Sequence, residues 1–318
     1  MTRYFASIIL AVGLVALACS APLSREAEKP DISPYRGFAT WLDNWDWNTW
    51  NDPESPVRAN RTIADMRHRG VRTLFLATSH HSQAADVVRP HAVSATIEAA
   101  HDRGMRVIAW YQPSLIDPDR DYRRSMAAIR FRTSGGERVD SFALDIEARL
   151  VRPPSARNAR LLRLAARIRD AVGSGYALGA IVPSPRLLDL YPESWPRFPY
   201  RRLAKSFDVF LPMAYWTFRA SGLQGAYEYT RDSIAGIRHK TRSTEVAVHV
   251  IGGTARHANS AETRGFLAAA RDCGTLGLSL YDYLTTSTAE WRELGDRPRG
   301  GARRPRNCSW HDRAEAEA

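Results

Sequence analysis

The chain has 318 residues, 44% of them hydrophobic and 25% charged, with a formal charge of +11 at pH 7. That composition excludes a chain too polar to bury a core, and the length leaves room for one large domain or two ordinary ones. The excess charge is mostly Arg scattered along helical stretches rather than gathered into one stripe, so nucleic acid is not an expected partner; an anionic cell-wall polymer or membrane surface fits better.

Met1-Thr2-Arg3, an apolar run from Phe5 to Leu17 and then Ala18-Cys19-Ser20 supply the charged, apolar and small-residue parts of a secretory signal. Leu17-Ala18-Cys19 resembles the lipoprotein pattern, in which a small residue precedes the lipid-bearing cysteine, although Ala16 stands where a larger aliphatic residue is usual. Residues 1–19 are therefore read as a signal peptide, of lipoprotein type if Cys19 is lipidated. Cleavage after Ala16-Leu17-Ala18 and an uncleaved, rather short anchor are the alternatives. The expected location is outside the cytoplasm, extracellular or lipid-anchored at the cell surface, with membrane contact only through that anchor.

A polar linker over residues 20–34 leads into alternating strand-like and helix-like segments. Strands are predicted at Arg36 to Leu42, Arg72 to Ala77, Arg106 to Trp110, Ser141 to Glu147, Tyr176 to Val182, Val209 to Tyr215, Glu245 to Ile251 and Leu276 to Tyr281. Helical periodicity lies between them; in Ala156 to Val172, for instance, Leu161, Leu162, Ala165, Ile168 and Val172 recur at helical spacing. Eight such units, with no Gly-x-Gly-x-x-Gly signature, predict an α/β fold: a single-domain (β/α)8 TIM barrel over residues 35–295. Residues 296–318 lack apolar periodicity and are expected to form a basic, mostly disordered tail. Cys273 and Cys308 could pair and tie that tail down, or stay as two thiols; no Cys/His cluster of zinc-site spacing exists.

Val139 to Glu147 carries the chemistry. Alternation sends Phe142, Leu144 and Ile146 to one face of the fourth strand and Ala143, Asp145 and Glu147 to the other. Two carboxylates about 6–7 Å apart on one face are costly to bury without partners, which suggests a paired-acid active site. The structural alternative is an ion pair with Arg149 or another interior Arg, and it would be capped by guanidinium and closed to solvent.

Active sites of such barrels lie at the C-terminal strand ends. Those ends hold Trp41 and Asp43 with Trp45, Trp47 and Trp50 beyond them, then Trp110-Tyr111-Gln112, Met213-Ala214-Tyr215-Trp216 and Tyr281-Asp282. Aromatic rings suit the C–H faces of sugars and acids suit their hydroxyls, although any single ring could simply fill space. Expected substrate contacts are Trp41, Asp43, Trp110, Tyr111, Met213, Trp216, Tyr281 and Asp282. For hydrolysis of a glycosidic bond, Glu147 is the candidate general acid, with Asp145 raising its pKa by repulsion; Asp43 or Asp282 could supply a second carboxylate. His249 is expected inside the barrel as a hydrogen-bonded residue, His80 and His81 near the mouth, and Ser79 and Ser184 without catalytic roles.

The fourth strand resembles the Asp-Gly-x-Asp-x-Asp-x-Glu signature of family 18 glycoside hydrolases, the chitinase-like barrels, through Asp140, Asp145 and Glu147, and the sixth resembles their Met-x-Tyr-Asp through Met213 and Tyr215. The resemblance implies that Glu147 protonates the glycosidic oxygen, that Asp145 orients the substrate N-acetyl group and that Tyr215 helps hold it. Ser141 stands in place of the Gly, Ala143 in place of the middle Asp and Trp216 in place of the Asp after Tyr. The Asp-x-Glu is also similar to that of family 25 lysozyme-like muramidases, which place a further acid on the first strand, where Asp43 stands. The expected activity is thus hydrolysis of a cell-wall or environmental polysaccharide without metal or organic cofactor. The alternative is a surface protein that keeps the sugar cleft but not turnover.

Overall fold

In a computed structural model of the protein, residues 29–46, 58–254, 257–295 and 308–310 are described. Cys19 and the signal expected at residues 1–19, most of the expected linker, Trp47 and Trp50 lie outside them. In chain order the elements are β1 (Gly37–Leu42), α1 (Ala59–His68), β2 (Thr73–His80), α2 (Pro90–His101), β3 (Arg106–Gln112), α3 (Pro118–Arg130), β4 (Ser141–Asp145), α4 (Pro154–Val172) and β5 (Leu178–Pro183). There follow α5 (Pro185–Leu190), α6 (Tyr200–Leu203), β6 (Val209–Ala214), α7 (Gly222–Thr241), β7 (Ala247–Thr254), α8 (Ser260–Asp272), β8 (Gly277–Tyr281) and α9 (Thr288–Gly295). The strands pair in parallel in sequence order, and β8 closes on β1, so the fold is the predicted (β/α)8 barrel.

Local chemistry starts the helices where the loops must turn. Proline opens α2, α3, α4 and α5, where its missing N–H would have had no partner anyway. The Asp117 carboxylate accepts the Arg120 N–H to cap α3, and Asn259 with Glu262 forms a capping box on α8. Among the described residues, no helix is long and apolar enough to cross a membrane.

Alternation along the strands divides the core into two layers. Phe142, Leu144 and Ile146 join Leu74, Leu76 and Val107 between sheet and helices, while Phe75, Ile108, Ala143, Leu211 and Ile251 fill the barrel. The bottom is plugged by Tyr35, from a 3-10 turn over Ser33–Tyr35 that belongs to the barrel rather than to a linker. Its hydroxyl donates to the Phe142 carbonyl at 2.8 Å, in space left free because Gly179 has no side chain; a Cβ there would meet that hydroxyl at 2.7 Å. His249 is fully buried, bonded to the Tyr35 carbonyl at 2.8 Å and to Ser279 at 3.1 Å, and Ser279 accepts the Trp41 indole N–H at 2.9 Å. With both ring nitrogens engaged and burial pushing its pKa down to about 4, His249 is the neutral, satisfied interior histidine expected.

Two bulges interrupt the pleat near the C-terminal mouth. On β2 the pairing passes from Ala77↔Trp110 to Ser79↔Tyr111, and on β7 from Gly252↔Leu280 to Thr254↔Tyr281. An extra residue reverses the facing of everything after it, so His80 and Thr254 turn inward where strict alternation would turn them out.

Cys273, at the end of α8, is disulfide-bonded to Cys308. Trp310 stacks on His239 of α7 at 5.8 Å between ring centroids, so the described piece of the tail lies on the barrel wall. That part departs from the expected disorder because a covalent bond and an aromatic contact hold it.

Candidate active site

The mouth opens into a cleft of about 260 Å³ lined by Trp41, Asp43, Asn44, Trp45, His80, Trp110, Gln112, Asp145, Glu147, Ile181, Met213, Tyr215, Ile251, Thr254 and Tyr281. Its floor is aromatic. Trp41 stacks on Phe75 at 4.1 Å between centroids and meets Trp110 edge-on at 5.9 Å, so the aromatic packing holds both rings in place. Trp45 is the exposed ring at the lip.

Asp145 and Glu147 reach the cleft as alternation predicts. The Ile146 N–H donates to the Ile181 carbonyl at 2.8 Å, which continues the β4 geometry beyond Asp145 and keeps Glu147 on the inward face. Asp145 is only 6% exposed and its Oδ1 has no hydrogen-bond partner, whereas the Glu147 side chain is open to solvent within the cleft walls. Among the described residues no guanidinium lines the cleft, and Arg149 turns away to the Ser194 carbonyl at 3.4 Å. The pair is therefore open and uncapped, not a structural ion pair.

Burial raises the pKa of both acids. Repulsion from Glu147 adds to the effect on Asp145, which is held well above the usual carboxylate range. The expectation had Asp145 lifting Glu147; the deeper burial of Asp145 instead makes it the member that keeps a proton, while desolvation in the cleft lifts Glu147. The Gln112 amide opposes both shifts and donates through Nε2 to Glu147 Oε1. Tyr215, also in the lining, is kept a neutral phenol by burial and by the nearby carboxyls of Glu147 and Asp145.

Across the mouth the Tyr281 hydroxyl donates to Asp43 Oδ2 at 2.9 Å, while Asp43 Oδ1 accepts the Trp45 N–H at 2.6 Å. Carboxylate oxygens of Asp43, Asp46 and Asp282 lie within 4.8 Å of one another, the spacing of a cation site. Each is already engaged by the fold: Asp46 accepts the Asp43 N–H and Asp282 accepts the Thr285 N–H. Crowding is relieved by a proton, with burial and the Asp43 and Asp282 charges pushing Asp46 up to about 8.

Of the residues expected from sequence, Glu147, Asp145, Tyr215, Trp41, Asp43, Trp110, Met213 and Tyr281 all line this cleft. Three do not. Tyr111, one residue after inward Trp110, points outward and donates to Asp121 Oδ1 at 2.6 Å. Trp216 is fully buried against Phe266, because the chain enters a 3-10 turn over Trp216–Phe218 that swings the ring under α8. Asp282 caps its own turn at Thr285. Asp140, at the opposite end of β4, pairs with Arg106 at 2.7 Å and with His101 at 3.0 Å and is structural. Gln112, Asn44 and Thr254 were not singled out as site residues. Gln112 was recoverable, since it lies two residues beyond Trp110 on the same face; Thr254 was not, because a bulge aims it.

No protein-family model matches the chain, and no curated protein matches it. Solved structures do. An exo-beta-1,4-mannosidase from Opitutaceae bacterium strain TAV5 aligns at a TM-score of 0.59 and 13% identity, over 80% of this chain and 55% of that one. The chain thus spans little more than half the mannosidase's length. A chitinase from Bacteroides thetaiotaomicron aligns at 0.58 and 11%, over 82% and 96% of the two chains. A glycoside hydrolase family 18 N-acetylglucosaminidase from Paenibacillus barengoltzii aligns at 0.54 and 10%, over 83% and 100%. The chain shares the barrel fold of these chitinase-like and related glycoside hydrolases, as the sequence resemblance implied.

Proposed function

We infer that the protein is a glycoside hydrolase that acts on a cell-wall or environmental polysaccharide, with Glu147 as general acid. The observation that carries this reading is an open aromatic cleft holding two uncapped carboxyls, the outer one accessible and raised in pKa, the inner one buried. An accessible acid whose pKa is raised by burial is suited to protonate a glycosidic oxygen, and a buried neutral neighbour can hold the departing sugar or the acid itself by a hydrogen bond. Tyr215, kept as a phenol in the same lining, can donate to a substrate oxygen, and Asp43 is the further carboxyl in the lining. Trp41, Trp110, Met213 and Tyr281 supply the apolar surface for a sugar ring.

Export as a secreted or lipid-anchored protein belongs to the same reading. It is supported by the Cys273–Cys308 disulfide, a bond suited to oxidising compartments, together with the leader-like sequence through Cys19. Ala143, buried in the barrel where the chitinase-like signature has its middle Asp, favours the second reading: a carbohydrate-binding barrel without turnover. Release of reducing ends from chitin, peptidoglycan and mannan by the purified protein and its Glu147→Gln variant decides between them. A hydrolase releases ends and loses nearly all activity on substitution, whereas a binding protein retains polysaccharide and releases nothing.

A further inference from the structure

We propose that Gln112 and His80 form a positioning arm that fixes how Glu147 carries its proton: the Gln112 amide occupies Glu147 Oε1, which leaves Oε2 as the oxygen that presents the proton to the cleft. The three side chains come from the C-terminal ends of β2, β3 and β4, and His80 pairs in register with Gln112 only because of the β2 bulge between Ala77 and Ser79. Without the bulge Ser79 would face inward; instead it faces out and donates to the Ala85 carbonyl at 2.8 Å.

The arm can be followed atom by atom. His80 Nδ1 accepts the Ser82 N–H at 3.2 Å and lies 2.6 Å from the Ser82 hydroxyl. A neutral ring that accepts at Nδ1 carries its hydrogen on Nε2. Burial holds the pKa of His80 below its ordinary value, which favours that neutral ring, and its register partner on β3, Gln112, lines the same cleft beside it. The observed bond runs from Gln112 Nε2 to Glu147 Oε1, which turns the carbonyl oxygen of the amide away from the acids and leaves it as the acceptor that a donor on His80 would meet. An amide does not ionise near neutral pH. It therefore acts as a constant donor that favours the Glu147 carboxylate and reserves one oxygen, while His80 decides which way the amide is turned.

This role rests on the reading of Glu147 as the acid, but its test does not. Besides His80, the titratable groups around Glu147 are Asp145 on β4, Tyr215 after β6, and Asp43 with Tyr281 at the ends of β1 and β8. The Glu147 carboxyl can be titrated by carbon NMR in full-length protein labelled at the glutamate side-chain carboxyl and assigned by difference from Glu147→Gln. Removal of a hydrogen bond to the ionised form in Gln112→Leu should raise the Glu147 midpoint by about one pH unit. His80→Leu should raise it by less, and His80→Gln, which can still donate to the amide oxygen, should restore the wild-type value. A midpoint unmoved in folded Gln112→Leu, or unmoved in His80→Leu, overturns the arm. If Gln112→Leu does not fold, the two His80 variants decide alone. Titrations that move as expected in a protein with no hydrolytic activity would leave the arm standing and sink the hydrolase reading.

Discussion

Asp145→Asn should make the protein more stable at neutral pH while damaging its function. Asp145 is 6% exposed, its Oδ1 has no partner, and its neighbour is another acid, so the folded state holds it well above the usual carboxylate range. A carboxyl raised on folding binds its proton more tightly in the native state, so stability is greatest below the unfolded pKa and falls as pH rises toward the folded one. An amide has no such term, and the advantage of Asn over Asp should therefore grow with pH. The loss of stability amounts to about 1.4 kcal/mol for each pH unit travelled between the unfolded and the folded pKa, and an amide is spared it. Relief of part of that loss should stabilise the variant by about 1–3 kcal/mol at pH 7.5, a rise of roughly 2–10 °C in Tm for a domain of this size. Urea unfolding of both proteins from pH 4 to pH 8 gives the comparison. A variant less stable than wild type at pH 7.5, or a difference that does not change with pH, would refute the assignment of Asp145 as a strained buried acid.

Other outcomes follow from the same structure. Gly179→Ala places a Cβ 2.7 Å from the Tyr35 hydroxyl and 2.9 Å from Leu211, and should cost about 1–3 kcal/mol in chemical unfolding. His101, bonded to Asp140 at 3.0 Å and to Glu137 at 2.7 Å, has its pKa raised mainly by the Asp140 hydrogen bond. Its contribution is therefore fully present below the unfolded histidine value and lost as pH rises through the folded one; His101→Ala should cost about 1–2 kcal/mol at pH 5.5 and clearly less at pH 9. Replacing Cys273 and Cys308 by Ser opens a cross-link across a sequence separation of 35, for which chain entropy gives about 4 kcal/mol, with Tm by calorimetry as the check.

The barrel was readable from sequence because every strand is apolar on its outer face, and the observed strands start and stop within a few residues of the predicted ones. The acid pair was readable for the same reason: Phe142, Leu144 and Ile146 leave Asp145 and Glu147 only the inner face. Tyr111 should have yielded to that logic, since Trp110 and Tyr111 cannot both point inward from one strand. Trp216 could not, because its direction is set by a 3-10 turn that depends on packing against Phe266. His80 and Thr254 were hidden by bulges, which alternate-residue reasoning does not register until pairing is seen. The plug formed by Tyr35 was hidden too, as its partners at Phe142 and His249 are more than a hundred residues away along the chain.

The central claim is that Glu147 is the acid of a working glycosidase, and it is tested most directly by reducing-end release from a panel of chitin, peptidoglycan and mannan, measured for wild type and Glu147→Gln. The account predicts release from at least one polymer by wild type and a loss of a hundredfold or more, roughly the general-acid contribution, in a variant that is folded normally. Equal release by the two proteins, or none by wild type from any of the three, would contradict it.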